Sequence, residues 1–171
     1  MKPNRNLKLL IVLIIIVFVM PHAPRALAIS DELIKQRIEG KAADNFQLKI
    51  TKVEVAVEDG YVVLHGTVGL YIQKMLYEQI AWKTIGVVEV DNEIRVVARF
   101  LQTDSAIERK IMELFQTYQR FQGVNLKMTV KDGIVHIRAD FKHPRDVLFL
   151  KRRVGEIEGV TDINIQAKFI V

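Results

Sequence analysis

The 171-residue chain is 50% hydrophobic and 26% charged, a composition typical of a globular protein and not of a disordered one. Its formal charge of +5 comes from the first 28 residues, where four of the 25 basic residues lie without an acid, leaving 21 basic against 20 acidic residues beyond them. A nucleic-acid-binding protein usually shows a basic surplus, so that class is not expected. The lack of cysteine excludes disulfides, thiolate metal sites and a cysteine nucleophile.

Residues 1–28 have the three-part layout of a secretory signal peptide. A basic start precedes an apolar run over residues 9–20, and Ala26 and Ala28 supply small side chains for cleavage after Ala28. As a helix, the 12-residue run would reach roughly 18 Å, short of the ~30 Å hydrocarbon core of a bilayer. We therefore expect cleavage and export of the remainder, with an uncleaved N-terminal anchor as the alternative.

The rest of the chain contains one pattern twice. An Asp-Gly pair at residues 59–60 returns at residues 132–133, an offset of 73, and the same offset relates Gly86 to Gly159. A repeat of this length predicts tandem domain duplication and not a solenoid. The predicted division is a signal peptide over 1–28, a first module over 29–99 and a second module over 104–171.

Each module is predicted to begin with a helix. Ser30 is a favourable N-cap in the first module, and Ser105 followed by Glu108 has the spacing of a capping box in the second. Two strands follow, because apolar and polar residues alternate on both sides of each Asp-Gly turn. The predicted inward-facing residues are Val53, Val55, Val57, Val62, Leu64 and Val68 in the first module and Leu126, Met128, Val130, Val135, Ile137 and Phe141 in the second.

A second helix and a last strand complete each module. The helices are predicted over about residues 71–85 and 144–157, with Gly86 and Gly159 as C-caps, and the strands over 87–97 and 160–169. The order αββαβ predicts an α+β fold of two tandem modules, each a three-stranded sheet with two helices on one face. Because modules of this size bury little surface alone, we expect them to pack together.

This pattern resembles the BON domain, named for bacterial osmotically inducible and nodulation proteins. In the first module the resemblance rests on residues 59–60, 62–66 and 86–92, and in the second on residues 132–133 and 159–164. The second module departs from the family pattern at Ala139 and Ile165. The resemblance implies a periplasmic or outer-membrane-associated protein, often with two such modules, linked to phospholipid interaction and envelope integrity and without enzymatic activity.

No group of residues points to catalysis or metal binding. His65 and His136 alternate with the inward-facing strand residues, which places them on the helix-free sheet face, and no pair of histidines has metal-ligand spacing. No glycine-rich phosphate loop, G-x-S-x-G motif or strand-end carboxylate pair is present. We therefore expect a binding protein with no catalytic residues, no metal, no cofactor and no small-molecule substrate.

The second helix of the second module holds the candidate binding residues. Phe149 lies off the stripe of Val147, Leu150 and Val154 that is predicted to be buried. An exposed aromatic ring among arginines suits an anionic membrane interface, whereas the alternative is that Phe149 packs against the first module. The candidate lipid-binding residues are Arg145, Leu148, Phe149, Arg152 and Arg153.

The predicted partner is an anionic phospholipid surface. The equivalent helix of the first module carries Tyr71, Tyr77 and Trp82 but no arginine cluster, so we expect it to contact a protein or the sister module. One alternative is an interaction or chaperone-like protein that binds envelope proteins through the open sheet face. Another is a structural subunit that oligomerises through its sheet edges.

Overall fold

The computed structural model describes residues 29–100 and 102–170, which form two modules of the predicted α+β kind. The predicted signal peptide, residues 1–28, lies outside the described residues. The elements of the first module are α1 (Asp31–Asp44), β1 (Lys52–Glu58), β2 (Tyr61–Val68), α2 (Tyr71–Trp82) and β3 (Glu89–Val96). Those of the second module are α3 (Asp104–Thr117), β4 (Leu126–Lys131), β5 (Ile134–Phe141), α4 (Pro144–Gly155) and β6 (Asp162–Phe169).

Each module contains one three-stranded sheet with the same topology. The middle strand pairs antiparallel with the strand before it and parallel with the strand that follows the second helix. Side chains alternate between the two sheet faces, so Leu64 and Ile137 are buried under the helices while His65 and His136 are exposed on the opposite face. All the strand residues predicted to face inward are buried or half-buried.

The first residue of α1 and of α3 makes a hydrogen-bonded contact that the sequence patterns did not predict. Ser30 caps α1 as predicted, but the prediction of Ser105 is wrong, because the Thr103 hydroxyl caps α3 by accepting from the Ala106 N–H at 3.2 Å. The carboxylate of Asp104 instead accepts from both N–H groups of the 132–133 turn, each at 3.0 Å. Asp31 holds the 59–60 turn in the same way, so each first helix is fastened to its own hairpin.

The second helices end earlier than predicted, at Trp82 and Gly155. Gly86 and Gly159 are therefore not C-caps but lie in the turns that follow, with φ of 101° and 92°. A Cβ on Gly86 would stand 2.9 Å from a methyl carbon of Ile34, which shows that glycine is needed for close approach of the turn to α1.

The two modules pack together, as expected. Each has its own hydrophobic cluster, but the buried Tyr71 of α2 belongs to the cluster of the second module. Helix α2 contacts α4, where a Cβ on Gly155 would stand 3.1 Å from the backbone nitrogen of Ile72. The connecting segment is also fixed, since the Glu158 carboxylate accepts from the N–H groups of Arg99 and Phe100 at 2.7 and 3.2 Å.

Candidate functional site

The five candidate residues divide between two sides of α4. Arg145, Leu148 and Arg152 are exposed and follow each other at three- and four-residue spacing, which places them in one row on the helix surface. Phe149 and Arg153 form a second row and are both half-buried. Leu150 and Val154 are fully buried between the two rows, as the predicted stripe requires.

Phe149 is neither a fully exposed ring nor packed against the first module, the two possibilities that the sequence pattern left open. Its ring packs edge-on against Tyr118 at 4.9 Å between centroids, and it also contacts the buried Phe121. Both partners belong to the segment that follows α3, so this packing is within the second module and not against the first. No helical or strand period marks residues 118–122, so the aromatic cluster could not be predicted from the sequence pattern.

Arginine does surround Phe149, but the closest guanidinium comes from outside α4. Arg120 lies over the ring with its Cζ 4.1 Å from the centroid, and Arg153 lies 5.3 Å away. Arg120 also donates to the buried carboxylate of Asp146 at 3.2 Å, so that carboxylate is paired within the fold. The only signal in the sequence for Arg120 was its position among aromatic residues.

Arg153 is engaged within the helix end. Its guanidinium donates to Glu156 at 2.9 Å, and this hydrogen bond raises the pKa of Arg153 above its ordinary value. Because Glu156 offsets its charge, Arg153 is less available to an external anion than Arg145 and Arg152. Arg145 and Arg152 are therefore the stronger candidates for contact with phosphate.

Leu148 lies at the mouth of an apolar cleft between the modules. The cleft has a volume of about 260 Å³ and is formed where α2 meets α4. Leu148 is 64% exposed, so much of its apolar side chain faces solvent beside the module contact. The residues that line the cleft are Ile72, Met75, Leu76, Gln79, Leu148 and Arg152. The arrangement offers an apolar slot with a guanidinium at its rim.

Tyr71 joins the modules beside this cleft. Burial raises the pKa of Tyr71 to about 12, and the carboxylates of Asp162 and Glu78 act in the same direction. Lys151 also lies over its ring, 5.8 Å from the centroid. Tyr71 lies on α2 and packs into the second module, so α2 contacts its sister module, one of the two partners predicted for it.

Because the pKa of Tyr71 is raised in the folded protein, we expect the free energy of unfolding to fall at high pH. A folded-state pKa above the unfolded value near 10 gives stability that is complete below pH 10 and is lost as the pH rises toward 12. We expect a loss on the order of 1–2 kcal/mol after solvent screening. Denaturation at a series of pH values checks this: Tyr71→Phe should remove that part of the pH dependence, whereas the exposed Tyr61→Phe should leave it unchanged. Identical pH profiles for wild type and Tyr71→Phe would contradict the assignment.

The described residues provide no other site with evident chemistry. No group of three or more histidine, aspartate or glutamate side chains within residues 29–100 and 102–170 is placed to hold a metal ion. In the same part of the chain, no helix combines the length and the apolar character needed to cross a bilayer. His65 and His136 lie on the helix-free faces, as their strand positions predicted.

The fold and the site define a protein of two small α+β modules that meet where α2 contacts α4. Residues 30–98, which make up the first module, match the family model of the BON domain. This match indicates no enzymatic family. It does not extend to the second module, whose membership of the family remains a prediction based on the repeat.

Other comparisons give more distant similarities. The chain is 28% identical over 118 residues to an "Uncharacterized protein in gshII 5'region" of Anaplasma centrale, which covers 64% of this chain and 78% of that protein. Among solved structures, the C-terminal domain of CdsD, a structural protein of the Type III secretion system of Chlamydia trachomatis, is 16% identical with a TM-score of 0.34, covering 84% of this chain and 68% of that one. A second structure of CdsD is 10% identical with a TM-score of 0.28, covering 79% of this chain and 91% of that one. Both TM-scores are too low to indicate a shared function.

Proposed function

We propose that this chain is an exported, non-enzymatic envelope protein that binds anionic phospholipid with the exposed row of α4. The observation that carries the proposal is the exposed Leu148 beside Arg152 at the mouth of an apolar cleft. An apolar side chain can enter the headgroup boundary while a neighbouring guanidinium meets phosphate. The BON domain at residues 30–98 supports the assignment to the envelope.

The proposed contact uses three of the five candidate residues directly. Arg145, Leu148 and Arg152 lie in one exposed row, so a flat surface can meet all three together. Phe149 and Arg153 would support the helix from the other side, because their contacts are with Tyr118 and Glu156. The role of Phe149 in this proposal is therefore to fix α4 on its module and not to insert into lipid.

Vesicle co-sedimentation of residues 29–171 tests the proposal. Among the described residues, both hydrophobic clusters lie within this segment, so we expect it to fold without residues 1–28. Binding should require anionic lipid and should weaken at high salt, because screening shortens the range of the attraction. Each arginine near such a surface contributes about 1 kcal/mol, so Arg145→Gln/Arg152→Gln should weaken binding by about 2 kcal/mol, roughly 30-fold.

Arg109→Gln/Lys110→Gln is the matched control, because it removes the same charge from an exposed part of α3. The control should bind anionic vesicles as the wild type does. Equal loss in both variants would indicate attraction by net charge alone and would contradict the proposed site. Failure of the wild type to bind any vesicle would reject the lipid function, and a protein-interaction role in the envelope would become the leading hypothesis.

A further inference from the structure

The helix-free sheet faces of the two modules differ in charge at equivalent positions. In the first module, the register of the sheet aligns Glu54, His65 and Glu93 in one row across the three strands. All three are exposed, and His65 Nδ1 lies 3.3 Å from the Glu93 carboxylate. This row therefore has one imidazole with a carboxylate on each side of it.

The second module has a basic row at the equivalent place. Its register aligns Lys127, Arg138 and Gln166, each 73 positions after its counterpart in the first module. Arg138 donates to the Gln166 side-chain oxygen through Nε at 3.0 Å and through Nη2 at 2.8 Å, which holds the guanidinium flat on the sheet. The row crosses a shallow depression of about 370 Å³ in this face.

Neighbouring positions extend the same difference. Glu58 of the first face corresponds to Lys131 of the second, and Asp91 corresponds to Asn164. The first face also carries Glu89, with Lys52 and Arg95 at one end. The second also carries Lys168, with Asp140 and Asp162 at its ends. The first face is thus acidic in total and the second basic, although the backbone arrangement beneath them is the same.

Within residues 29–100 and 102–170, the charged rows of both faces are exposed. The modules contact each other through α2 and α4, and each helix lies on the opposite side of its sheet from the charged rows. The helix layers therefore keep the acidic and basic faces of one chain apart. Any pairing of these two faces must be between different copies of the chain.

We propose that the basic sheet face of the second module docks the acidic sheet face of the first module of another copy. Charge complementarity identifies the occupant, since the first face is acidic in total and the second basic, and Glu54 and Glu58 of the first are replaced at equivalent positions by Lys127 and Lys131. The contact joins unlike surfaces, so it is head-to-tail, and each added copy presents a new free face. This inference does not depend on the proposed lipid function, because it uses none of the residues of α4.

The size of the faces sets the strength of the contact. Strands of about eight residues, with ~3.3 Å per residue and ~4.8 Å between strands, give a face of roughly 350 Å² and a total buried area of roughly 700 Å². That is below the 1,200 Å² or so of a standard stable interface. Docking is therefore weak, and it is favoured by low salt and by the high local concentration of copies held on one surface.

Sedimentation velocity of residues 29–171 over a range of concentrations tests the proposal. At an ionic strength of about 0.01 M the wild type should sediment faster as its concentration approaches about 1 mM, and this increase should vanish in 1 M salt. Lys127→Glu/Arg138→Glu makes both faces acidic, and Glu54→Lys/Glu93→Lys makes both basic. Each variant alone should stay monomeric, and an equimolar mixture of the two should associate again.

Restored association in the mixture is the decisive result, because two misfolded variants would not regain complementarity. Arg109→Glu/Lys110→Glu on α3 serves as the control and should associate like the wild type. A wild type that stays monomeric at about 1 mM in low salt would overturn the proposal. So would a mixture no more associated than its components, or a basic face that instead proves necessary for binding anionic vesicles.

Discussion

Replacing Gly66 by alanine is expected to destabilise the first module by about 3 kcal/mol or more. Gly66 has φ of 137°, a conformation that side chains rarely adopt. A Cβ there would overlap the Lys52 carbonyl oxygen on the neighbouring strand. Strand β1 would have to move away from β2 to relieve the clash, and this would open the sheet.

The second module provides the matched control for this change. Ala139 occupies the equivalent position, 73 residues later, and is buried without a positive φ. The counterpart of Lys52 is Asn125, whose carbonyl oxygen accepts from the Asp140 N–H at 3.4 Å, so the neighbouring chain is still present but Ala139 meets it without a positive φ. Ala139→Gly should therefore cost only about 1–2 kcal/mol, from backbone freedom and one lost buried methyl group.

Chemical denaturation with two probes distinguishes the modules. Trp82 is the single tryptophan and lies at the end of α2, so its fluorescence follows the first module, while circular dichroism follows both. Gly66→Ala should move the fluorescence transition to lower denaturant. A Gly66→Ala protein as stable as the wild type would show that β1 tolerates the added methyl group and would contradict the inferred strain.

Leu150→Ala is expected to destabilise the second module by about 2–5 kcal/mol. Leu150 is fully buried at the centre of the face that α4 presents to its sheet, so the substitution leaves a cavity. Leu148→Ala, two residues away on the exposed row, should change stability by no more than about 0.5 kcal/mol. The same Leu148→Ala protein should bind anionic vesicles more weakly, because it loses apolar area at the membrane boundary.

This pair separates folding from binding on one helix. Thermal unfolding followed by circular dichroism gives the stability, and vesicle co-sedimentation gives the affinity. Equal destabilisation by Leu148→Ala and Leu150→Ala would mean that α4 is rotated relative to its assigned position. Unchanged vesicle binding by a stable Leu148→Ala protein would remove Leu148 from the proposed contact without affecting the assignment of the core.

The sequence by itself determined the repeat, the αββαβ order and the inward-facing strand residues. These follow from local causes: strand alternation has a period of two, and the Asp-Gly turns require backbone conformations that glycine supplies. Ser30 was predicted correctly as an N-cap for the same reason, since its hydrogen bond spans only three residues. The resemblance of residues 30–98 to the BON domain was also recognisable, because its motif consists of such local features.

Only the tertiary structure decided which residues meet across the chain. The Asp104 contact with the 132–133 turn and the Arg120 stacking on Phe149 join residues 28 or more positions apart, and no local period encodes such contacts. Helical spacing showed that Phe149 leaves the main stripe and left open a membrane contact or packing against the first module, but spacing cannot show that the Tyr118 segment of its own module covers it. The charge difference between the two sheet faces likewise emerged only when the strand register placed Glu54, His65 and Glu93 side by side.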